Sequence, residues 1–136
     1  MNIVFKEGKE IAQKQLQSLY EDVEWFAYTK DIAQLKQALS HSLYVLSAWE
    51  EDRLVGLIRV VGDGLTIVYI QDILVLTSHQ NRGIATGLME QTLEKFKDVR
   101  QKVLLTEEAP DVRHFYEKNG FRSCDTGTLV AFAKMN

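Results

Sequence analysis

Residues 43–76 constrain the fold more than any other stretch: strand-forming side chains dominate, and the run breaks only at Glu50-Glu51-Asp52 and Gly62-Asp63-Gly64. Such runs bounded by polar or glycine turns predict an antiparallel three-stranded meander over residues 43–49, 53–61 and 65–76. A Rossmann-type dinucleotide fold opens on a parallel βαβ unit, so the meander excludes it.

The flanks supply the helices that such a sheet needs to cover its apolar face. Ile3-Val4-Phe5 predicts a short strand, and Ala12, Leu16, Leu19, Tyr20 and Val23 recur at helical spacing. Asp31 followed by Gln34 resembles a capping box ahead of Ile32, Leu35 and Leu39, which share one helix face. An aromatic cluster lies between these two helices. Downstream, Ile84, Leu88, Thr92 and Phe96 form a stripe on a helix over residues 83–98, and residues 102–106 read as a strand. Pro110 opens another helix, Asn119-Gly120 gives it a left-handed stop, and residues 128–134 read as a last strand. The expected order is β-α-α-β-β-β-α-β-α-β: an α+β (mixed α/β) domain with a mostly antiparallel mixed sheet flanked by helices. With 136 residues, 46% of them apolar, and no Pro/Gly/Ser-rich linker or internal repeat, a single domain over residues 1–136 is expected.

Composition narrows the function. A formal charge of −3 gives no basic field for phosphate backbones, which argues against nucleic acid as the main partner. The apolar stretches at 65–70 and 73–76 are separated by Gln71-Asp72 and fall far short of the roughly 20 residues that span a bilayer. Lys6, Glu7, Lys9 and Glu10 occupy the place where an export signal needs an apolar run, so a cytoplasmic location is expected. Cys124 is alone, excluding an internal disulfide, and His41, His79 and His114 lack paired metal-ligand spacing, so no metal is expected. A lone cysteine is more often a small buried hydrophobe than a nucleophile.

The most informative segment is Ile73-Leu74-Val75-Leu76-Thr77-Ser78-His79-Gln80-Asn81-Arg82-Gly83-Ile84-Ala85-Thr86-Gly87, where a buried strand feeds a helix N-terminus. Unpaired amides at that end and the helix dipole favour an anion, Gly83 and Ala85 let a phosphate approach the main chain, and Arg82 adds charge. The segment lacks the four-residue gap and the Lys-Ser/Thr pair of a P-loop, which disfavours ATP hydrolysis.

In these residues the chain resembles the GNAT superfamily of N-acetyltransferases, whose Gln/Arg-x-x-Gly-x-Gly/Ala signature stands here as Gln80-Asn81-Arg82-Gly83-Ile84-Ala85. A second family motif, Tyr-x-x-x-Gly-Phe, follows in the right order as Tyr116-Glu117-Lys118-Asn119-Gly120-Phe121. The resemblance spans residues 43–121 by element order and the N-terminal helices by position. It implies the mixed-sheet acetyltransferase fold and acetyl-CoA as cosubstrate. It further implies that Gln80, Asn81 and the amides of Arg82, Gly83, Ile84, Ala85 and Thr86 hold the diphosphate, and that the main chain of Ile73, Leu74 and Val75 pairs with pantetheine. An amide of Leu74 or Val75 would face the thioester oxygen. Many relatives carry an asparagine about seven residues before the tyrosine, where this chain has Ala109.

Acyl transfer from a thioester to an amine needs a neutral amine, a donor for the oxyanion and a proton for the departing thiolate. Tyr116, with an ordinary phenol pKa of ~10 against ~8.5 for a thiol, suits the last task. The base is open among Asp72, Glu107, Glu108 and water; Asp72 is equally read as the buried partner of Arg59 or Arg53. Trp25 and Tyr28 fall where relatives fold the first helices over the acceptor, and equally where a core between short helices would close. The expected function is acetyl transfer to a primary amine of a small molecule or protein by direct attack. The alternatives are a non-catalytic CoA-binding regulatory module and an interaction protein without a ligand. Residues 128–134 are compatible with a homodimer, although no pattern demands one.

Overall fold

The first strand, β1 (Ile3–Glu7), pairs antiparallel with β2 (Tyr44–Glu50), and the meander continues antiparallel through β3 (Arg53–Gly62) and β4 (Ile67–Val75). A short fifth strand, β5 (Gln101–Leu104), pairs parallel with Ile67–Ile70 and completes a sheet of order β1-β2-β3-β4-β5. The structure is a computed structural model describing residues 2–136.

The β3–β4 turn shows why these residues end strands. Gly62 has φ of 133°, and a Cβ there would come 2.5 Å from the Ile67 carbonyl oxygen, so only glycine fits. Next to it the Asp63 carboxylate accepts the backbone N–H groups of Leu65, Thr66 and Ile67, which hold its pKa well below the usual carboxylate range.

Among the described residues there are five α-helices: α1 (Gln13–Asp22), α2 (Phe26–Thr29), α3 (Ile32–Ser40), α4 (Ile84–Lys95) and α5 (Pro110–Lys118). In α1, Leu16, Leu19 and Tyr20 are buried, and in α4 the apolar stripe Ile84, Leu88, Met89 is buried with Thr92. Two glycines let α4 lie close to the sheet: a Cβ on Gly87 would sit 2.6 Å from the Phe5 ring, and one on Gly56 would sit 3.1 Å from Ile84. The Asp31 side chain caps α3 by accepting from Gln34 N–H at 3.1 Å. Asp31→Ala should cost about 1 kcal/mol of stability, read as a shift of the urea midpoint without a change of slope.

Two expectations differ from the structure. The aromatic cluster after α1 contains the one-turn helix α2, because Glu24 adopts φ of 64° and Trp25 N–H bonds back to the Tyr20 carbonyl at 3.0 Å, turning the chain sharply. Residues 128–134, expected as a last strand, form none: they are exposed and pair with no strand. A strand needs a ladder partner as well as strand-forming side chains, and β propensity alone supplies none.

The chain divides into two compact units, Met1–Leu105 and Thr106–Asn136. The first holds the whole sheet with α1 to α4, and the second holds α5. Among the described residues no helix is long and apolar enough to cross a membrane.

Candidate active site

Within the first unit, β4 is prepared to accept something other than a strand. Arg59 pairs with Asp72 while Val60 pairs with Ile70, so Gln71 is an extra residue bulging from β4. Pairing with β5 ends at Ile70–Leu104, which leaves the rest of β4 without a partner strand on that side. Leu76 N–H donates to the Val55 carbonyl at 2.9 Å, so by alternation Leu74 also faces β3, whereas Ile73 and Val75 present their main-chain groups to the vacated edge. The Val75 carbonyl accordingly accepts from Gln80 Nε2 at 3.1 Å. Of the three strand residues singled out from the sequence, Ile73 and Val75 therefore line the opening, and Leu74 spends its main chain on β3.

The opening leads along the chain into the loop between β4 and α4. After β4 comes a 3₁₀ turn, Thr77–His79, then Asn81 at φ 64° and Gly83 at φ 83°, and α4 begins at Ile84. Gly83 is the N-cap, no side chain caps the helix, and no acidic residue lies in its first turn. The first bond into the helix runs from Gly87 N–H to the Gly83 carbonyl at 3.0 Å, so the amides of Gly83, Ile84, Ala85 and Thr86 have no carbonyl behind them in the helix. Nothing lies within 4 Å of where a Gly83 Cβ would be, which leaves the space before these amides open. An array of outward amides at a dipole's positive end binds phosphates. Arg82 is exposed beside it.

Both ends of the loop are anchored. Asp22, at the end of α1, accepts from Thr77 N–H at 2.7 Å and from its hydroxyl at 3.3 Å. His79 is 6% exposed, with Nε2 on Glu50 Oε1 at 2.9 Å and Nδ1 on the Ser78 hydroxyl at 2.7 Å. Its hydrogen bond holds the Glu50 carboxyl below the usual range.

A polar network fills the space between β4 and the first helices. Asp72 is 2% exposed; its Oδ2 accepts from Arg59 Nε at 2.7 Å and from the Tyr20 hydroxyl at 3.0 Å, and its Oδ1 accepts from the Tyr28 hydroxyl at 2.7 Å. Of the two arginines weighed as partners for Asp72, it is Arg59 that forms the ion pair. Tyr28 in turn accepts from Gln71 Nε2 at 3.1 Å, so α2 is tied to the β4 bulge. Burial and then the Asp72 charge push the Tyr20 and Tyr28 phenols up. Burial pulls Arg59 down, and the Asp72 carboxylate more than offsets it. Trp25 completes the wall, with ring centroids 6.0 Å from Tyr20 and 6.3 Å from Tyr28.

In the second unit, α5 explains the spacing of Tyr116 and Gly120. Gly120, at φ 90°, sends its N–H to the Glu117 carbonyl at 3.0 Å, and Phe121 N–H reaches the Tyr116 carbonyl at 3.0 Å. This is a Schellman stop, and the contact it favours between the flanking side chains is made by Tyr116 and Phe121, edge to face at 5.9 Å. Burial raises the Tyr116 phenol above its ordinary pKa, and a hydrogen bond with Thr106 works the other way. Glu108 is engaged by Arg113 Nε at 2.7 Å, while Glu107 is exposed. Among the described residues, no group of three His, Cys, Asp or Glu could hold a metal ion.

The sequence profile of the Acetyltransferase (GNAT) domain matches residues 9–133, nearly the whole chain. The chain belongs to the GNAT acetyltransferase family. It is similar to the GNAT family protein SP0256 from Streptococcus pneumoniae TIGR4, with 37% identity, a TM-score of 0.88, and 99% of this chain and 98% of that one covered. It is 32% identical over 79 residues to the acetyltransferase FG08082 of Gibberella zeae, covering 56% of this chain and 41% of that relative's length. The fold also matches that of AAC(6')-Iy, solved with a CoA-S-monomethyl-acetylneamine bisubstrate analogue, at 17% identity and a TM-score of 0.67 over 100% of both chains.

In this GNAT chain the strand and the helix start that follows it lie where the sequence predicts them, whereas the hydroxyl partners of Asp72 are not legible in it. In the sequence Tyr20 reads only as a core residue of the first helix. The available signal was Asp72 itself, since a carboxylate inside an apolar strand must find several donors.

Proposed function

We propose that this protein is an acetyl-CoA-dependent N-acetyltransferase that moves the acetyl group to a primary amine of a small molecule or protein by direct attack. One observation carries the reading: the vacated edge of β4 at Ile73 and Val75 runs straight into the uncapped amides of Gly83 to Thr86. Pantetheine has two amides and can add to a strand edge as a peptide does, while its diphosphate needs a dipole end. The two demands are met by adjacent stretches of one unit.

In the reaction the amine nitrogen bonds to the acetyl carbon, the carbon–sulfur bond breaks, and the thiolate takes a proton. Val75 N–H, facing the opening, is the amide suited to the thioester oxygen. Tyr116 supplies the proton: an ordinary phenol is already protonated at neutral pH, and burial raises its pKa further. Asp72 is a positioning residue: its oxygens hold Arg59, Tyr20 and Tyr28, and so fix the acceptor wall of Trp25 and Tyr28. The amine loses its proton to water or to exposed Glu107. A cytoplasmic location and a homodimer go with this reading.

Calorimetry with acetyl-CoA, followed by thiol release across a panel of amines, tests it. Binding with release supports the transferase, binding without any release leaves a CoA-binding module, and no binding removes both. Gly83→Ala places a methyl group in the mouth of the amide array, and should weaken acetyl-CoA binding roughly tenfold in the same calorimetry.

A further inference from the structure

The turn that opens the loop between β4 and α4 holds a cluster for which the transfer reaction has no use. Ser78, His79 and Glu50 form one hydrogen-bonded chain: the Ser78 hydroxyl meets His79 Nδ1 at 2.7 Å, and His79 Nε2 meets Glu50 Oε1 at 2.9 Å. Holding a loop by its histidine needs the carboxylate and not the serine. A serine, a histidine and a carboxylate linked in that order have the connectivity of an activated nucleophile, with the two ring nitrogens exchanged relative to the serine hydrolases.

The local chain dictates the arrangement. Thr77–His79 is a single 3₁₀ turn, fixed by the bond from His79 N–H to the Leu76 carbonyl at 2.8 Å. Successive side chains in such a turn stand about a third of a turn apart, and Nδ1 is the ring nitrogen nearer the main chain, so the neighbouring hydroxyl reaches it. The far nitrogen extends to Glu50 at the end of β2.

Charge sets the direction of both bonds. An ionised carboxylate only accepts, and the bond to His79 holds the Glu50 carboxyl below the usual range, so Nε2 carries the hydrogen and donates it. In the neutral ring Nδ1 then keeps its lone pair, and the Ser78 hydroxyl donates to it. The ring is 6% exposed, which shields it from water, whereas Ser78 is exposed. The base is enclosed and the nucleophile is accessible.

We propose that Ser78 is an acylation site: its hydroxyl, with His79 as base and Glu50 orienting the ring, takes the acyl group of activated esters and thioesters. Ser78 Oγ bonds to the acyl carbon, and the bond from that carbon to the leaving oxygen or sulfur breaks. The hydroxyl proton passes to His79 Nδ1 and from there to the departing alkoxide or thiolate, so the step needs no oxidant or reductant. The site stands apart from the transferase reading, since it requires neither a strand edge nor a diphosphate.

The test uses p-nitrophenyl acetate, which carries no diphosphate. After incubation of the full chain near neutral pH, peptide mass spectrometry should place an acetyl ester on Ser78 at a level at least about tenfold above that on Ser40. Ser40 is the reference because it is equally exposed and its hydroxyl donates to the Gln37 carbonyl, which is no base. Ser78→Ala should lose the label. Glu50→Gln keeps a hydrogen-bonding partner for the ring without the charge, and should lower the label by about tenfold or more, as loss of the orienting carboxylate does in serine proteases. Circular dichroism of Glu50→Gln should match wild type, which separates loss of orientation from loss of fold. Labelling of Ser78 no greater than that of Ser40, or undiminished in Glu50→Gln, would overturn the proposal, and the calorimetry with acetyl-CoA is read independently of either.

Discussion

Asp72→Ala is expected to lower the unfolding free energy by about 3–5 kcal/mol, the usual consequence of stranding one member of a buried ion pair. Arg59 is 6% exposed, and its Nε would lose the acceptor it meets at 2.7 Å. The Tyr20 and Tyr28 hydroxyls would lose theirs at the same stroke. Against a total of about 5–15 kcal/mol for a domain, this is enough to shift the urea midpoint far toward zero. Replacing both charges together, Asp72→Leu with Arg59→Met, should recover much of the loss, since well-packed apolar pairs often equal buried ion pairs. A single Asp72→Ala change within 1 kcal/mol of wild type would mean that the buried carboxylate is not what holds Arg59, Tyr20 and Tyr28 in place.

Tyr116→Phe should reduce turnover by about 10²-fold or more, while the dissociation constant for acetyl-CoA stays where it was. The substitution removes one oxygen and keeps the ring that meets Phe121 at 5.9 Å, so the Schellman stop and the helix survive. Thermal unfolding of the variant should therefore stay close to wild type, which separates loss of a proton donor from loss of structure. The sign of the pH effect is fixed too. Burial raises the phenol pKa, so the donor form persists from neutral pH to above the ordinary tyrosine value, and deprotonation of this group should not depress turnover between pH 7 and pH 9. Unchanged turnover in Tyr116→Phe would remove the acid role.

The legible parts of the fold are those whose cause is local. The meander is readable because Glu50-Glu51-Asp52 and Gly62-Asp63-Gly64 end strands by their own chemistry, and Asp31 caps α3 through a bond to a residue three positions away. Gly83 likewise announces a left-handed turn into a helix. The Gln71 bulge and the early end of β5 are register properties of two strands brought together, and no single residue encodes them. The partners of Asp72 lie 13, 44 and 52 positions away, beyond the reach of any spacing rule. Residues 128–134 mislead for the same reason, since their composition states a preference for a ladder and not where one is to be found.

The bond from Thr77 to Asp22 joins the end of α1 to the start of the loop ahead of α4 through one carboxylate. The corner between α1 and α2 is thus not an interchangeable cassette. Transplanting a different corner would have to bring an aspartate at that spot, or the graft would unsettle the loop that leads into α4.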